Sequence, residues 1–147
     1  MCHTGDIFRS LKCDCGDELE NALNFISKHR GIFIYTPEEG RDIGVLNKIS
    51  VYKSQSEGLD TVEAQYANRH PNELRTYDYI KDILEHFSVS SIKLISNNPE
   101  KRLHVELAGI VVADVIKLPS KVNPHNEHYL KTKMVKNGHD FKLEFSD

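Results

Sequence analysis

The chain has 147 residues, a formal net charge of −3 and a sequence pI near 6.2. A chain of this length can bury enough surface to fold as one domain without disulfide bonds. Its charge provides no general attraction to nucleic acid or to a membrane surface, so we expect neither as a partner. The cysteine count is odd and no apolar run approaches a membrane-spanning length, so we expect a cytoplasmic protein.

Cys2, Cys13 and Cys15 lie near the start of the chain in the spacing C-x10-C-x-C. Thiolates are strong zinc ligands, and three of them leave the fourth position of a tetrahedral ion open for water, as in catalytic zinc sites. If Cys13 and Cys15 lie on a strand, their side chains point to one face and Cys2 can reach them from a neighbouring segment. The alternative is that all three are reduced, buried cysteines that only fill space. The pattern predicts a zinc site that activates a water.

The first half of the chain alternates helical and extended patterns. Apolar residues at helical spacing predict an amphipathic helix over 17–28. The β-rich run 31–35 predicts a strand that leads into a polar, functional loop at 37–42. A second helix is predicted from Ile43 to about Ser56, and Thr61 is predicted to cap the helical turn that follows.

The second half repeats this alternation. It predicts helices over 77–87, up to about Gly109 and between 124 and 138, with strands at 91–96 and 110–118. Residues from about 139 onward are expected to form a loose tail. The whole pattern predicts an α/β fold: a single layered domain over 1–147, with a mixed, mostly buried sheet flanked by helices.

Seven short segments form a pattern that is specific in combination, although any one alone is weak. They are Cys2–Asp6, Lys12–Gly16, Glu39–Arg41, Gly44–Lys48, Asp60–Ala64, Ser96–Pro99 and Asn126–Leu130. Together they resemble GTP cyclohydrolase II, in unbroken order over nearly the whole chain. Relative to that family, we expect the chain to lack the N-terminal portion, including an Arg-Val-His-Ser-Glu segment that precedes the first zinc cysteine.

The resemblance implies a zinc-dependent hydrolase of riboflavin biosynthesis. Such an enzyme opens the imidazole ring of GTP, releases formate and pyrophosphate, and leaves a diaminopyrimidine ribosyl phosphate. The resemblance also implies a homodimer and Mg²⁺ bound with the triphosphate. The chemistry suits the cysteines, because a water activated by zinc can attack the electron-poor C8 of guanine.

The sequence leaves two alternatives to this enzyme. The first is a catalytically weakened paralogue that binds zinc or a guanine nucleotide and acts as an interaction module. The second is a zinc nucleobase deaminase, which is disfavoured because its H-x-E and P-C-x-x-C signatures are absent.

The resemblance assigns catalytic roles to single residues. The three cysteines match the zinc ligands, and Tyr52 matches a tyrosine placed near the purine ring. Arg75 matches an arginine proposed to attack the α-phosphate, but arginine stays protonated, so electrostatic stabilisation is a competing role. Glu73 stands where the family has a general-base aspartate and is longer by one methylene.

A further set of residues matches the family's substrate-binding positions: Glu18, Glu39, Gly40, Arg41, Thr61, Ser96 and Lys101. Arg41 offers a planar fork for phosphate oxygens and Lys101 a point charge. Chemistry alone suggests Glu63 as the partner of the guanine N1–H and amino group, because a carboxylate accepts two parallel donors. Without the resemblance, the same residues would be interpreted as a solvated loop, a helix cap and surface charges. No histidine is given a role.

Overall fold

The structure is a computed structural model that describes residues 1–71 and 73–145. A π-helical turn, His3–Ile7, precedes six helices: α1 (Cys15–His29), α2 (Val45–Ser56), α3 (Thr61–Ala67), α4 (Asp78–His86), α5 (Pro99–Leu107) and α6 (Glu127–Asn137). The strands are β1 (Ser91–Ile95), β2 (Val111–Ile116), β3 (Pro119–Val122) and β4 (Lys142–Phe145). The mixture of helices and strands agrees with the predicted α/β class.

The strands form two separate parallel pairs, β1 with β2 and β3 with β4. The β1–α5–β2 unit is a helical crossover between parallel strands. The single mixed and mostly buried sheet that we predicted is not found among the described residues. The physical reason is that each pair is covered on one face only: Val112 of β2 is buried, whereas the adjacent Val111 is 61% exposed.

The predicted helices all form, with ends shifted by a few residues, but the cap of α3 differs from the prediction. The cap is Asp60, whose Oδ1 accepts hydrogen bonds from the main-chain N–H of Val62 at 2.9 Å and of Glu63 at 3.0 Å. Glu63 in turn accepts from the Asp60 N–H, which completes a capping box. Thr61 is the first residue inside the helix. The capping role therefore belongs to the residue before it.

This cap also carries a pH-dependent stabilisation. Burial alone would raise the pKa of Asp60, but hydrogen bonds from Lys136, Glu63 and Val62 outweigh it and hold that pKa below the ordinary 3.8. A lowered pKa stabilises the fold above the ordinary value, and this contribution is lost as the pH falls through the lowered pKa. We expect Asp60→Asn, which keeps a capping side chain, to lower the free energy of unfolding at pH 7.

The difference between wild type and Asp60→Asn should be smaller at pH 3 than at pH 7, in urea unfolding followed by circular dichroism. Asp82→Asn, at an exposed position of α4, is the matched control and should have little effect at either pH. An equal destabilisation by Asp60→Asn at both pH values would contradict this account.

The predicted strand at 31–35 is wrong, and the strand considered for Cys13 and Cys15 does not form. Residues 31–35 form neither a helix nor a strand, and Ile32, Phe33 and Tyr35 are exposed. Cys13 lies in a bend and Cys15 is the first residue of α1, so the C-x-C pair is not on a strand. A strand needs a hydrogen-bonding partner, which a favourable local composition does not supply.

The segment from 139 onward is more ordered than the loose tail we expected. His139 and Phe141 are buried, and β4 pairs with β3 in parallel register. Phe141 packs with Val122 and Leu130 in one of three small apolar clusters. Ser146 and Asp147, at the end of the predicted tail, lie outside the described residues, as does Asn72 beside the Glu73–Arg75 segment.

The other two apolar clusters hold the helices that surround the site. Leu84, Val105 and Val112 belong to a cluster that joins α4, α5 and the β1–β2 pair, whereas Val51 and Ala64 join α2 to α3. None of the described helices has the length and apolar character needed to cross a membrane. The core is thus divided among several small clusters, and a large cavity lies between them.

Candidate functional site

The three cysteines meet although they lie on different local structures. Their sulfur atoms all lie within 4.8 Å of one another, and Cys2 Sγ is 4.0 Å from Cys13 Sγ. The π-helical turn after Cys2 brings the chain back: Asp6 Oδ2 accepts from the Cys2 N–H at 2.7 Å, and the Gly5 N–H points at Cys2 Sγ at 3.3 Å. The convergence that we predicted from the spacing is therefore present, through a turn and a helix start.

Gly5 makes this approach possible. A Cβ at this position would lie 2.8 Å from Cys15 Cβ, 3.0 Å from Cys13 Sγ and 3.2 Å from Cys2 Sγ. A Cβ essentially never lies as close as 2.8 Å to another heavy atom, so any larger residue would force Cys15 and the neighbouring sulfur atoms to shift. Glycine at position 5 keeps a compact cradle of three sulfur atoms.

The charges around the cradle favour a cation. Hydrogen bonds from Cys13 and Cys15, helped by Lys48 Nζ at 3.0 Å, lower the pKa of Cys2 despite its burial. The hydrogen bond with Cys15 lowers the pKa of Cys13, but the bond to Cys2 and burial outweigh it and raise that pKa to about 11. Bonds to Cys13 and Cys2, with burial, raise the pKa of Cys15. Three thiols this close cannot all ionise without a cation, and an all-sulfur donor set suits Zn²⁺.

A buried carboxylate connects the cradle to the 37–42 loop. Glu39 is only 3% exposed; its Oε1 pairs with Lys48 Nζ at 2.6 Å and its Oε2 contacts His3 Nδ1 at 2.6 Å. Burial would raise the pKa of Glu39, but Lys48 and His3 outweigh burial and lower it. Lys48 and His3 are site residues that we missed. The adjacency of His3 to Cys2 was the available signal, but no histidine was given a role.

The cradle forms one wall of a cavity of about 1030 Å³. Every catalytic, substrate-binding or metal residue predicted above lines this cavity except Glu63 and Glu73. The loop 37–42 contributes Gly40, whose φ of +62° and tight packing against Ile43 suit glycine, together with Arg41. Most of the predicted set is thus collected around one space.

Arg75 and Glu73 form a two-point ion pair at the cavity wall. Arg75 Nε donates to Glu73 Oε1 at 2.7 Å, and Nη2 donates to the other carboxylate oxygen. Burial would lower the pKa of Arg75, but the hydrogen bonds to Glu73 outweigh it and raise that pKa. Burial would raise the pKa of Glu73, but Arg75 lowers it. Glu73 therefore lies behind Arg75 and presents the guanidinium to the cavity.

Other predicted residues reach the cavity from the β1–α5 turn and from α2. Ser96 is buried and its Oγ accepts from the Asn98 N–H at 3.1 Å, which shapes the turn before α5 and Lys101. Burial and the charge of Arg75 lower the pKa of Lys101. Tyr52 hydrogen-bonds Thr4 at 3.0 Å, and its ring lies 5.7 Å from Lys48 Nζ.

Glu18 and Glu63 have different surroundings. Burial raises the pKa of Glu18, which lines the cavity one turn into α1. Glu63 is exposed and is occupied by the capping box and by Lys136 at 2.9 Å. The structure therefore does not bring Glu63 to the cavity where we predicted it would bind guanine.

A buried ion pair between Asp14 and Lys133 of α6 anchors the C-x-C segment. Asp14 Oδ1 receives a hydrogen bond from Lys133 Nζ at 3.0 Å, and Asp14 Oδ2 receives one from Ser120 Oγ at 3.2 Å. Asp14 is fully buried and Lys133 is 6% exposed. Burial would lower the pKa of Lys133, but attraction to Tyr129, Glu18 and Asp14 outweighs it. Helix α6 thus holds the residue between two of the cysteines.

Lys133→Met should be strongly destabilising, because it leaves the Asp14 carboxylate buried without its cation. Breaking a buried pair in this way costs about 3–5 kcal/mol. The matched control is Lys131→Met on the same helix, since Lys131 pairs with Glu127 at an exposed position and should contribute less than about 1 kcal/mol. Chemical denaturation measures both. Equal stability of the two variants would contradict a structural role for Lys133.

Comparison with known proteins identifies the family. A model of GTP cyclohydrolase II matches residues 1–117. The chain belongs to the GTP cyclohydrolase II family. Its relatives include the GTP cyclohydrolase-2 of Aeromonas hydrophila, which is 47% identical over 142 residues, covering 96% of this chain and 72% of that protein. The GTP cyclohydrolase-2 of Azotobacter vinelandii is 48% identical over 139 residues, covering 94% of this chain and 67% of that protein.

Longer proteins also match. The riboflavin biosynthesis protein RibBA of Staphylococcus haemolyticus is 44% identical over 138 residues, which are 94% of this chain and 35% of that protein. The chain therefore spans about a third of the length of this relative. Residues after the matched segment 1–117 also line the cavity, among them Tyr129, Lys133 and His139.

Proposed function

We propose that the chain is a zinc-dependent GTP cyclohydrolase II of riboflavin biosynthesis. It opens the imidazole ring of GTP and releases formate and pyrophosphate, leaving a diaminopyrimidine ribosyl phosphate. The observation that carries the proposal is the convergence of Cys2, Cys13 and Cys15 on the cavity that also exposes Arg75 and Lys101. The relatives named GTP cyclohydrolase-2 support GTP as the substrate.

The cysteine cradle is the proposed metal site. Cys2, Cys13 and Cys15 would hold Zn²⁺, which when bound supplies the Lewis acidity that activates a water for attack on C8. Lys48 stabilises the Cys2 thiolate at 3.0 Å. Glu39 balances the charge of Lys48 and, through His3, holds the start of the chain against the 37–42 loop.

The cationic wall is the proposed triphosphate site. Arg41, Lys101 and Arg75 bring positive charge to one cavity, and a planar guanidinium can bind two phosphate oxygens at once. Mg²⁺ would enter with the triphosphate. Arg75 stays protonated beside Glu73, so it stabilises negative charge on the α-phosphate oxygens during pyrophosphate release. Glu73 is the proposed proton acceptor, and its carboxylate also holds Arg75 in place through two hydrogen bonds.

The remaining assignments complete the proposal. Tyr52 lies beside the purine ring, and the substrate contacts come from Glu18, Glu39, Gly40, Thr61 and Ser96. Residues 1–147 form one GTP cyclohydrolase II-like domain, active as a homodimer in the cytoplasm. The guanine-binding role of Glu63 lacks geometric support, because its carboxylate pairs with Lys136 outside the cavity.

Incubation of the purified protein with GTP, Zn²⁺ and Mg²⁺ tests the proposal. We expect stoichiometric formate and pyrophosphate and a new pyrimidine chromophore. A thermal shift with intact GTP would instead support a protein that only binds the nucleotide, an alternative that the comparisons do not favour. Release of ammonia instead of formate would indicate a deaminase and contradict the proposal.

A further inference from the structure

Unpaired polar atoms are concentrated at the cavity. Among the described residues, three buried side-chain polar atoms lack a hydrogen-bond partner: Tyr77 Oη, Asn97 Oδ1 and His139 Nδ1. All three residues line the cavity. Buried polar groups are normally paired, because leaving one unpaired is unfavourable. A ligand in the cavity would provide the missing partners.

Asn97 and His139 are neighbours brought together from distant parts of the chain. Asn97 follows β1 and His139 follows α6, and the Asp140 N–H donates to the Asn97 main-chain oxygen at 3.2 Å. Asn97 is 8% exposed and His139 is 7% exposed. Tyr77 instead packs in the α4–α5 core, with Arg75 over its ring. Asn97 and His139 therefore come from adjoining segments that both line the cavity.

The unpaired atom of Asn97 is an acceptor. Its Nδ2 already donates to the Leu118 main-chain oxygen at 3.0 Å. This bond sets the orientation of the amide and leaves Oδ1 as the unpaired atom.

The unpaired atom of His139 is also an acceptor. Its Nδ1 has no hydrogen-bond partner, and we assign the proton of the neutral ring to Nε2, which makes Nδ1 an acceptor. Burial, with the charges of Lys133 and Arg41, lowers the pKa of His139 to about 4. The imidazole is therefore neutral at pH 7 and Nδ1 carries a free lone pair.

We infer that Asn97 and His139 form a subsite of the cavity that accepts hydrogen bonds from an N–H or O–H group of the nucleoside part of the substrate. Phosphate oxygens of a nucleotide are acceptors at neutral pH, so they could not donate hydrogen bonds to these two acceptor atoms. The cations of the proposed triphosphate site, Arg41, Lys101 and Arg75, are suited to the phosphates instead. The inference rests on the proposed function, because it takes a purine nucleotide as the ligand.

The test uses a GTP analogue that cannot be cleaved. Carbon in place of N7 prevents imidazole opening, and a methylene bridge between the α- and β-phosphorus prevents pyrophosphate release. His139→Phe keeps an aromatic ring that can stack on Phe141, whose ring centroid is 5.3 Å away, but lacks Nδ1. Calorimetry should show binding about tenfold weaker in this variant. His128→Phe, at an exposed position on α6, is the matched control and should bind like the wild type.

Three further analogues identify the donor, each lacking the 2-amino group, the 2′-hydroxyl or the 3′-hydroxyl. If His139 accepts a hydrogen bond from the deleted group, the wild type and His139→Phe should bind that analogue with equal affinity, as expected for a double-mutant cycle. If no analogue removes the penalty, the remaining donor, N1–H, is the group that is read. Unchanged affinity in a folded His139→Phe variant would overturn the inference.

The folded state of His139→Phe is checked by circular dichroism. If this variant does not fold, the wild type decides, with a fourth analogue that carries a methyl group in place of the N1 hydrogen: at least one donor deletion should weaken binding about fivefold, and equal affinity for all four analogues would overturn the inference. Formate release is measured separately. If the wild type releases formate from GTP but His139→Phe binds the analogue as tightly as the wild type does, the subsite alone is refuted. If His139→Phe binds the analogue more weakly but the wild type releases no formate from GTP, the cyclohydrolase activity alone is refuted.

Discussion

Cys13→Ser is expected to release the metal and to abolish ring opening. Cys13 is buried, and its sulfur is 4.0 Å from that of Cys2. A serine hydroxyl stays protonated near neutral pH and is a poor zinc ligand, so the cradle would lose one of its three anionic donors. Lewis-acid activation contributes several kcal/mol, so formate release should fall at least about 10³-fold. Elemental analysis of the purified protein and a formate assay measure the two effects.

The alternative reading of the cysteines predicts a different result. If they only fill space, Cys13→Ser lowers stability slightly and changes neither metal content nor turnover. Ser10→Ala, near the same bend, is the control for general disturbance of the N-terminal segment and should keep the metal. Full metal occupancy in Cys13→Ser would reject the proposed site.

Arg75→Ala should abolish pyrophosphate release while the metal remains bound. Arg75 is held by two hydrogen bonds to Glu73, with its charge directed to the cavity, and it lies outside the cysteine cradle. Losing a positioned cation at a phosphoryl centre typically costs about 10³-fold or more in rate. A coupled pyrophosphate assay and elemental analysis of the same sample check both parts.

Two further variants test how Arg75 acts. Arg75→Lys keeps the charge but loses the planar fork, so an electrostatic role predicts partial activity and a nucleophilic guanidinium predicts none. Arg69→Ala, at an exposed position in the same segment, should behave like the wild type. Unchanged turnover in Arg75→Ala would remove Arg75 from the mechanism.

The helices and the ligand types could be predicted because both depend on local information. The main-chain hydrogen bonds of a helix lie within the segment, so apolar spacing placed α1, α4 and α6 to within a few residues. Three sulfur atoms in one short segment indicated zinc whichever local structure carried them. The absence of a strand at Cys13 and Cys15 therefore does not affect the predicted metal chemistry.

Strands and side-chain partners depended on the folded chain. Residues 31–35 have the composition of a strand but no pairing partner in the described parts of the chain, whereas β4, expected to be a tail, pairs with β3. Hydrogen bonds between strands join residues far apart in sequence, so local composition does not decide them.

The same distinction applies to the site. Composition and spacing predicted the three thiols and an α/β chain, and the resemblance to the family supplied the cationic residues. Folding decided that Lys48 and His3 engage Glu39, that Lys133 supports Asp14, and that Glu63 is taken by Lys136. Each of these contacts depends on a three-dimensional approach between segments separated by up to 119 residues. Such approaches are set by packing of the whole chain and leave no local periodic signal.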